Sequence, residues 1–184
     1  MAETKRICVF CGSSLGFNPG YSEMALDLGR TLVRRGLGLV YGGESVGLMG
    51  VLATAVIAEG GEAIGVLPES MLERESGKPD LLDLTELRVV GSMHQRKQLM
   101  SDLSEGFVAL PGGMGTFEEL CEILTWAQLG IHTKPIGLVN AGGYYEPLLA
   151  LFDHAVTEGF IAPTHRMLLR SADTPSELLD ELGF

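Results

Sequence analysis

The chain has 184 residues, 46% of them hydrophobic and 20% charged, enough to bury one continuous core over residues 1–184 without metal or disulfide support. Its formal net charge of −11, from 13 basic and 24 acidic residues with no basic run, argues against a DNA or RNA partner, because such binding neutralises phosphates over a broad surface. Three cysteines, no signal-like start and no apolar run of membrane-spanning length leave the cytoplasm as the expected compartment, with no membrane partner.

In chain order, the first strand is predicted over residues 6–11. Cys8 and Cys11 make a C-x-x-C there, but their odd spacing on a strand sends them to opposite faces, so buried thiols are expected instead of a redox pair. No histidine stands nearby to suggest zinc, and no metal is expected. The loop Gly12-Ser13-Ser14-Leu15-Gly16 leads into a helical pattern over 21–35. A short strand at 39–41 runs into a second glycine loop, Gly42-Gly43-Glu44-Ser45-Val46-Gly47-Leu48-Met49-Gly50, and a helix over 48–59. After a strand at 63–67 comes the one long irregular stretch, 68–83, whose length suits a lid or pocket wall. Strands at 87–90, 106–110 and 135–139 then alternate with helices over 93–103, 117–129 and 144–158. A short run at 167–170 and a helix over 175–182 close the chain.

Strands alternating with helices predict an α/β fold, a parallel sheet covered on both faces. Ligands of such sheets sit at the carboxyl ends of the strands, where the strand order reverses. Three glycine loops fall there. None reads G-x-G-x-x-G in the required context and no G-x-x-x-x-G-K-[ST] occurs, which disfavours NAD dehydrogenase and P-loop readings.

The third loop carries the most chemistry: Leu110-Pro111-Gly112-Gly113-Met114-Gly115-Thr116-Phe117-Glu118-Glu119 reads as strand end, phosphate-sized turn and helix start. Glycines let a backbone approach a ligand closely, and helix N-terminal N–H groups bind anions. Thr116 and Glu119 also have capping-box spacing, which would account for both without any catalysis. Within a first turn, the dipole and a pairing with Arg96 would keep Glu119 ionised, suiting a base or electrostatic stabiliser and not an acid. Upstream, Ser92 and Gln95 have cap spacing, and Met93, Arg96, Lys97, Met100 and Leu103 share one helix face. Two cations on an apolar stripe either snorkel to water or serve a site; the acidic chain and nearby anion loops favour the second for Arg96.

Met93-His94-x-Arg96-Lys97 followed by Pro111-Gly112-Gly113-x-Gly115-Thr116-x-x-Glu119 resembles the paired motifs of the LONELY GUY (LOG) type cytokinin riboside 5′-monophosphate phosphoribohydrolases. The opening Val9-Phe10-Cys11-Gly12-Ser13-Ser14 and the second glycine loop are also similar to that family. The resemblance implies a Rossmann-like doubly wound parallel sheet in a single domain, often dimeric. It also implies hydrolysis of the N-glycosidic bond of N6-substituted AMP to free base and ribose 5-phosphate, with no cofactor. Arg96 and Glu119 would be the catalytic pair. Substrate and phosphate contacts would come from Gly12, Ser13, Gly43, Met93, Lys97, Gly112, Gly113, Met114, Gly115, Thr116, Glu118 and Thr125. Glu44 stands where many relatives have a small residue and Met114 where plant members commonly have an aromatic, so both bear on substrate preference.

Three competing readings come from other classes, of which a structural or scaffold role leaves two cations on a buried face unexplained. A non-catalytic nucleotide or molybdenum-cofactor carrier or sensor would explain the loops but has no need of Arg96 and Glu119. A pyridoxal-dependent decarboxylase needs a Schiff-base lysine, and none of Lys5, Lys78, Lys97 and Lys134 has a recognisable context for one. The helix over 117–129 presents Phe117, Leu120, Cys121 and Leu124 on one face, with Ile123 and Trp126 giving a second apolar side. Two apolar sides need two covers, either another subunit of a homodimer or the 144–158 helix of the same monomer.

Overall fold

The computed structural model describes residues 4–75 and 84–184. Seven parallel strands form one sheet: β1 (Arg6–Phe10), β2 (Gly38–Tyr41), β3 (Ala63–Pro68), β4 (Glu86–Val90), β5 (Gly106–Ala109), β6 (Ile136–Val139) and β7 (Leu169–Ala172). Their spatial order is β4-β3-β2-β1-β5-β6-β7. The chain winds outward from β1 through β4, then returns to β5 on the other side of β1. The reversal therefore lies between β1 and β5, paired through Ile7 to Gly106 and Phe10 to Ala109.

Helices α1 (Gly20–Arg34), α2 (Gly47–Ala58) and α8 (Pro175–Leu182) cover one face with α3 (Glu69–Glu75) following β3. Met24, Leu28, Leu32, Leu52 and Leu178 pack there against Ile7, Val9, Leu39 and Val108. On the other face, α4 (Met93–Asp102), α5 (Met114–Gln128) and α6 (Glu146–Thr157) bring Met100, Leu120, Ile123 and Tyr145 onto Cys8, Phe10, Val40 and Phe107. A four-residue helix, α7 (Pro163–Arg166), precedes β7. Strand residues alternate between these two cores because the side-chain period of a strand is two. Cys8 and Cys11 fall in opposite cores, both buried, as the strand pattern requires.

Three boundaries differ from expectation. The 167–170 run is the edge strand β7, one residue pair further on, which the short and half-exposed sequence Leu169–Ala172 does not advertise. Of the irregular stretch 68–83, Glu69–Glu75 is helical and residues 76–83 lie outside the described residues. Most consequential, α5 starts at Met114, three residues early, with Gly113 as its N-cap in extended geometry.

Candidate active site

The loops after β1 and β5 diverge toward helices on opposite faces, opening a crevice at the reversal. Gly12 N–H donates to Pro111 O at 3.0 Å and Leu48 N–H donates to Gly12 O at 2.9 Å, which locks the three glycine loops together. The close approach requires glycine at 47: its φ is +60°, and a Cβ there would lie 2.2 Å from the Ser13 carbonyl carbon. From the far side, Tyr145 Oη–H donates to Leu110 O at 2.6 Å and Tyr144 Oη–H donates to Gly112 O, so the start of α6 holds the Pro111 loop.

The resulting cavity, about 190 Å³, is lined by Gly12, Ser13, Gly42, Glu44, Arg96, Glu119, the Gly113 to Thr116 turn and the floor residues Val9, Phe10, Cys11 and Met49. Because Gly113 offers no side chain to cap α5, the N–H groups of Met114, Gly115 and Thr116 begin the helix without intrahelical partners and point their dipole into this space. Thr116 is therefore the third helical residue, not the cap, and the capping-box account of Thr116 and Glu119 fails on geometry. Glu119 lies more than a turn inside the helix.

Arg96 is buried, 6% exposed, and its guanidinium is tied at two points: Nε–H donates to Val66 O at 3.0 Å and Nη2–H donates to Gly42 O at 2.9 Å. Nη1 lies 3.9 Å from Met93 Sδ. With five N–H donors on the fork, the group keeps donors for a ligand while both bonds fix its position. The cation points into the protein, so it does not snorkel. A Cβ at Gly42 would stand 2.1 Å from Nη2, so glycine is what lets the guanidinium in.

Arg96 makes no direct ion pair with Glu119. Burial pushes the Glu119 carboxyl up to about 7, against the pull of the Arg96 charge and with some help from Glu118. The expectation that the dipole and Arg96 keep this group firmly ionised is thus corrected: desolvation outweighs both, and the group exchanges a proton near neutral pH. Cys11 in the floor is held as a neutral thiol, pushed far up by burial and by Glu119 and Glu44, and is no nucleophile.

The family described as "Possible lysine decarboxylase" matches residues 49–182. Among curated proteins, cytokinin riboside 5′-monophosphate phosphoribohydrolase LOG3 of Arabidopsis thaliana is 52% identical over 97% of this chain and 81% of its own length. LOG1 of the same plant is 51% identical, covering 97% and 82%. A rice protein (Oryza sativa subsp. japonica) named as the probable enzyme LOGL5 is 54% identical, covering 97% and 71%. The chain belongs to the LOG family. Solved structures similar to this LOG-family fold include the molybdenum cofactor binding protein of Rippkaea orientalis, TM-score 0.70 at 22% identity over 98% of this chain and 96% of that one. At that identity the likeness concerns the fold alone.

In this LOG-family chain the cavity brings together Arg96, Glu119, Gly12, Ser13, Gly113, Met114, Gly115 and Thr116. Gly112 lines an adjoining hollow of about 220 Å³ with Tyr21 and Tyr144. Gly43 lies between two lining residues, backed against Val66 and Leu67. Met93 sits behind the guanidinium. Lys97 and Glu118 are outside the lining: Lys97 Nζ donates to Glu118 Oε1 at 2.6 Å and to Glu122 Oε1 at 2.9 Å, a clamp between α4 and α5. Burial works against that ammonium, yet the two carboxylate bonds carry its pKa above the ordinary value. Thr125 lies a further turn along α5, on a separate hollow with Cys121 and Phe152.

Tyr144 and Tyr145 escaped the sequence reading, and Gly42 and Met49 stood out in it only as members of a glycine loop. The second glycine loop was visible, but nothing local says that Gly42 accommodates an arginine 54 residues away. Among the described residues no lysine lines the cavity, so the family description "Possible lysine decarboxylase" finds no Schiff-base candidate there.

Proposed function

We propose that the chain hydrolyses the N-glycosidic bond of N6-substituted adenosine 5′-monophosphates, releasing the free base and ribose 5-phosphate. The observation that carries this reading is one cavity holding a bare helix N-terminus, a fixed guanidinium and a carboxyl poised near neutrality. The names of the relatives at 51–54% identity support the same chemistry.

The 5′-phosphate takes the N–H groups of Met114, Gly115 and Thr116. That places the sugar near Glu119, one turn further along the same helix. As the C1′–N9 bond breaks, its electron pair leaves with the base, which takes up a proton, and positive charge builds on the ribose ring. The Glu119 carboxylate stabilises that charge and accepts a proton from the attacking water, whose oxygen bonds to C1′. Arg96 provides fixed donors on the opposite wall. The test is to incubate the purified protein with AMP and isopentenyl-AMP and to follow free base by chromatography. Release of adenine or isopentenyladenine is expected; tight binding without release would favour a carrier.

The working unit in this proposal is a homodimer in a cytoplasmic setting. Leu120 and Ile123 of α5 are buried on the sheet, Cys121 is exposed, and Trp126 is half-buried, so the apolar sides fall differently from the helical-wheel expectation. The surface around the ends of α5 and along α6 is nevertheless apolar: Leu129, Ile131, Leu151 and Phe160 are 67%, 63%, 58% and 87% exposed, and no residue of α6 is fully buried. A second copy would cover it. Light scattering at micromolar concentration should give about twice 19.7 kDa; a mass equal to one chain would sink the dimer. Among the described residues no helix is long and apolar enough to cross a membrane.

A further inference from the structure

Two carboxyl groups line the cavity among the described residues, and the chemistry above uses only Glu119. The other, Glu44, stands on the loop between β2 and α2, partly buried, with no hydrogen bond or ion pair among the described residues. Two residues before it, the Gly42 carbonyl anchors Arg96. In the sheet order, β2 lies on one side of β1, and β5, which leads to the phosphate-binding turn, lies on the other. A nucleotide whose phosphate takes the end of α5 extends across the end of β1 toward the loop that carries Glu44.

A carboxylate at that place cannot serve the phosphate, since two anions repel. It accepts from no protein donor among the described residues, so a ligand that enters the cavity can replace water as its donor. The vicinal hydroxyls of a ribose bring two, side by side, at the distance a carboxylate spans.

We propose that Glu44 accepts hydrogen bonds from the 2′- and 3′-hydroxyls of the bound nucleotide and makes this chain selective for ribonucleotides over 2′-deoxyribonucleotides. The assignment rests on the nucleotide-hydrolase reading above. A hydrogen bond to the 2′-hydroxyl strengthens as charge develops at C1′, so Glu44 acts on kcat as well as on KM. A contact with the base, the competing use of the same carboxylate, would ignore the sugar.

The experiment measures kcat/KM for AMP and 2′-deoxyAMP with wild type, Glu44→Gln and Glu44→Ala, together with calorimetric binding of ribose 5-phosphate and 2-deoxyribose 5-phosphate. Because deoxyribosyl bonds break more readily by themselves, the informative quantity is the ratio of variant to wild type for each sugar. Glu44→Ala should lower kcat/KM on AMP about 10- to 100-fold and that on 2′-deoxyAMP, which keeps only the 3′-hydroxyl contact, by a factor about tenfold smaller, with Glu44→Gln between wild type and alanine. Ribose 5-phosphate binding should weaken by a larger factor than 2-deoxyribose 5-phosphate binding, which loses only the 3-hydroxyl contact. Equal losses on both sugars, or none on either, overturn the assignment and leave the hydrolase reading intact. If wild type cleaves neither nucleotide yet binds ribose 5-phosphate through Glu44, the hydrolase reading falls and the ribose contact stands. Absence of both cleavage and binding removes both.

Discussion

Glu119→Gln is expected to lower turnover of AMP-type substrates by about three orders of magnitude while leaving the fold intact and, above neutral pH, more stable than wild type. The loss follows because an amide neither accepts the water proton nor carries the negative charge that a ribosyl cation needs. The gain follows from burial. A carboxyl raised to about 7 in the folded protein against an ordinary 4.5 binds an extra proton when folded between those two pH values. Stability contributed at this position is therefore unimpaired below about pH 4.5, falls as pH rises toward 7, and stays reduced above it, by up to about 3 kcal/mol. Glutamine has no such dependence, so thermal melts of the two proteins should coincide near pH 4 and separate by several degrees at pH 8, with the variant higher.

The same titration should appear in the kinetics. If the carboxylate form is active, wild-type kcat/KM rises with pH through a midpoint near 7, the folded-state value for Glu119. The residual rate of Glu119→Gln should be flat over that range. A variant with near-normal turnover, or one that melts lower at pH 8, would contradict the role given to the group.

The second large effect is expected at Gly42, a residue that touches no reacting atom. Gly42→Ala introduces a Cβ 2.1 Å from Arg96 Nη2 and must evict the guanidinium. Arg96→Lys keeps the charge but has no fork with which to hold Val66 O and Gly42 O together. Each change should cut kcat/KM by about 100-fold or more. Each should also cost about 1–3 kcal/mol of stability for a buried carbonyl left without its donor. Because both act through one guanidinium, adding Gly42→Ala to Arg96→Ala should do little further harm to activity. Additive losses in the double variant would show that Gly42 acts by another route.

The conservative reading of Lys97 follows from its clamp. Its ammonium is engaged by Glu118 and Glu122, so it neutralises the two acids that flank Glu119 on α5 and keeps α4 and α5 in register. A cation next to Arg96 in sequence points, one helix position later, to a different neighbour, about 100° around the axis. Adjacent residues in a motif thus divide into one that lines the cavity and one that fixes the helix beside it.

Much of this protein could be read directly from its sequence, because the relevant physics is local. The alternation of short apolar strands with amphipathic helices, the glycine loops after β1, β2 and β5, the cap of Ser92 on Gln95 and the separation of Cys8 from Cys11 depend on periodicity and turn chemistry within a few residues. The two motifs that carry Arg96 and Glu119 are likewise contiguous. Only the tertiary structure decided what those residues experience. Glu119 has its pKa raised to about 7 by burial against other elements, and Arg96 is held by carbonyls 30 and 54 residues away. α5 starts three residues earlier than the capping pattern suggests, directly after a glycine turn that Tyr144 and Tyr145, just before α6, hold by its carbonyls. Desolvation and long-range hydrogen bonds are properties of the packed molecule, set by groups that are neighbours in space and strangers in sequence.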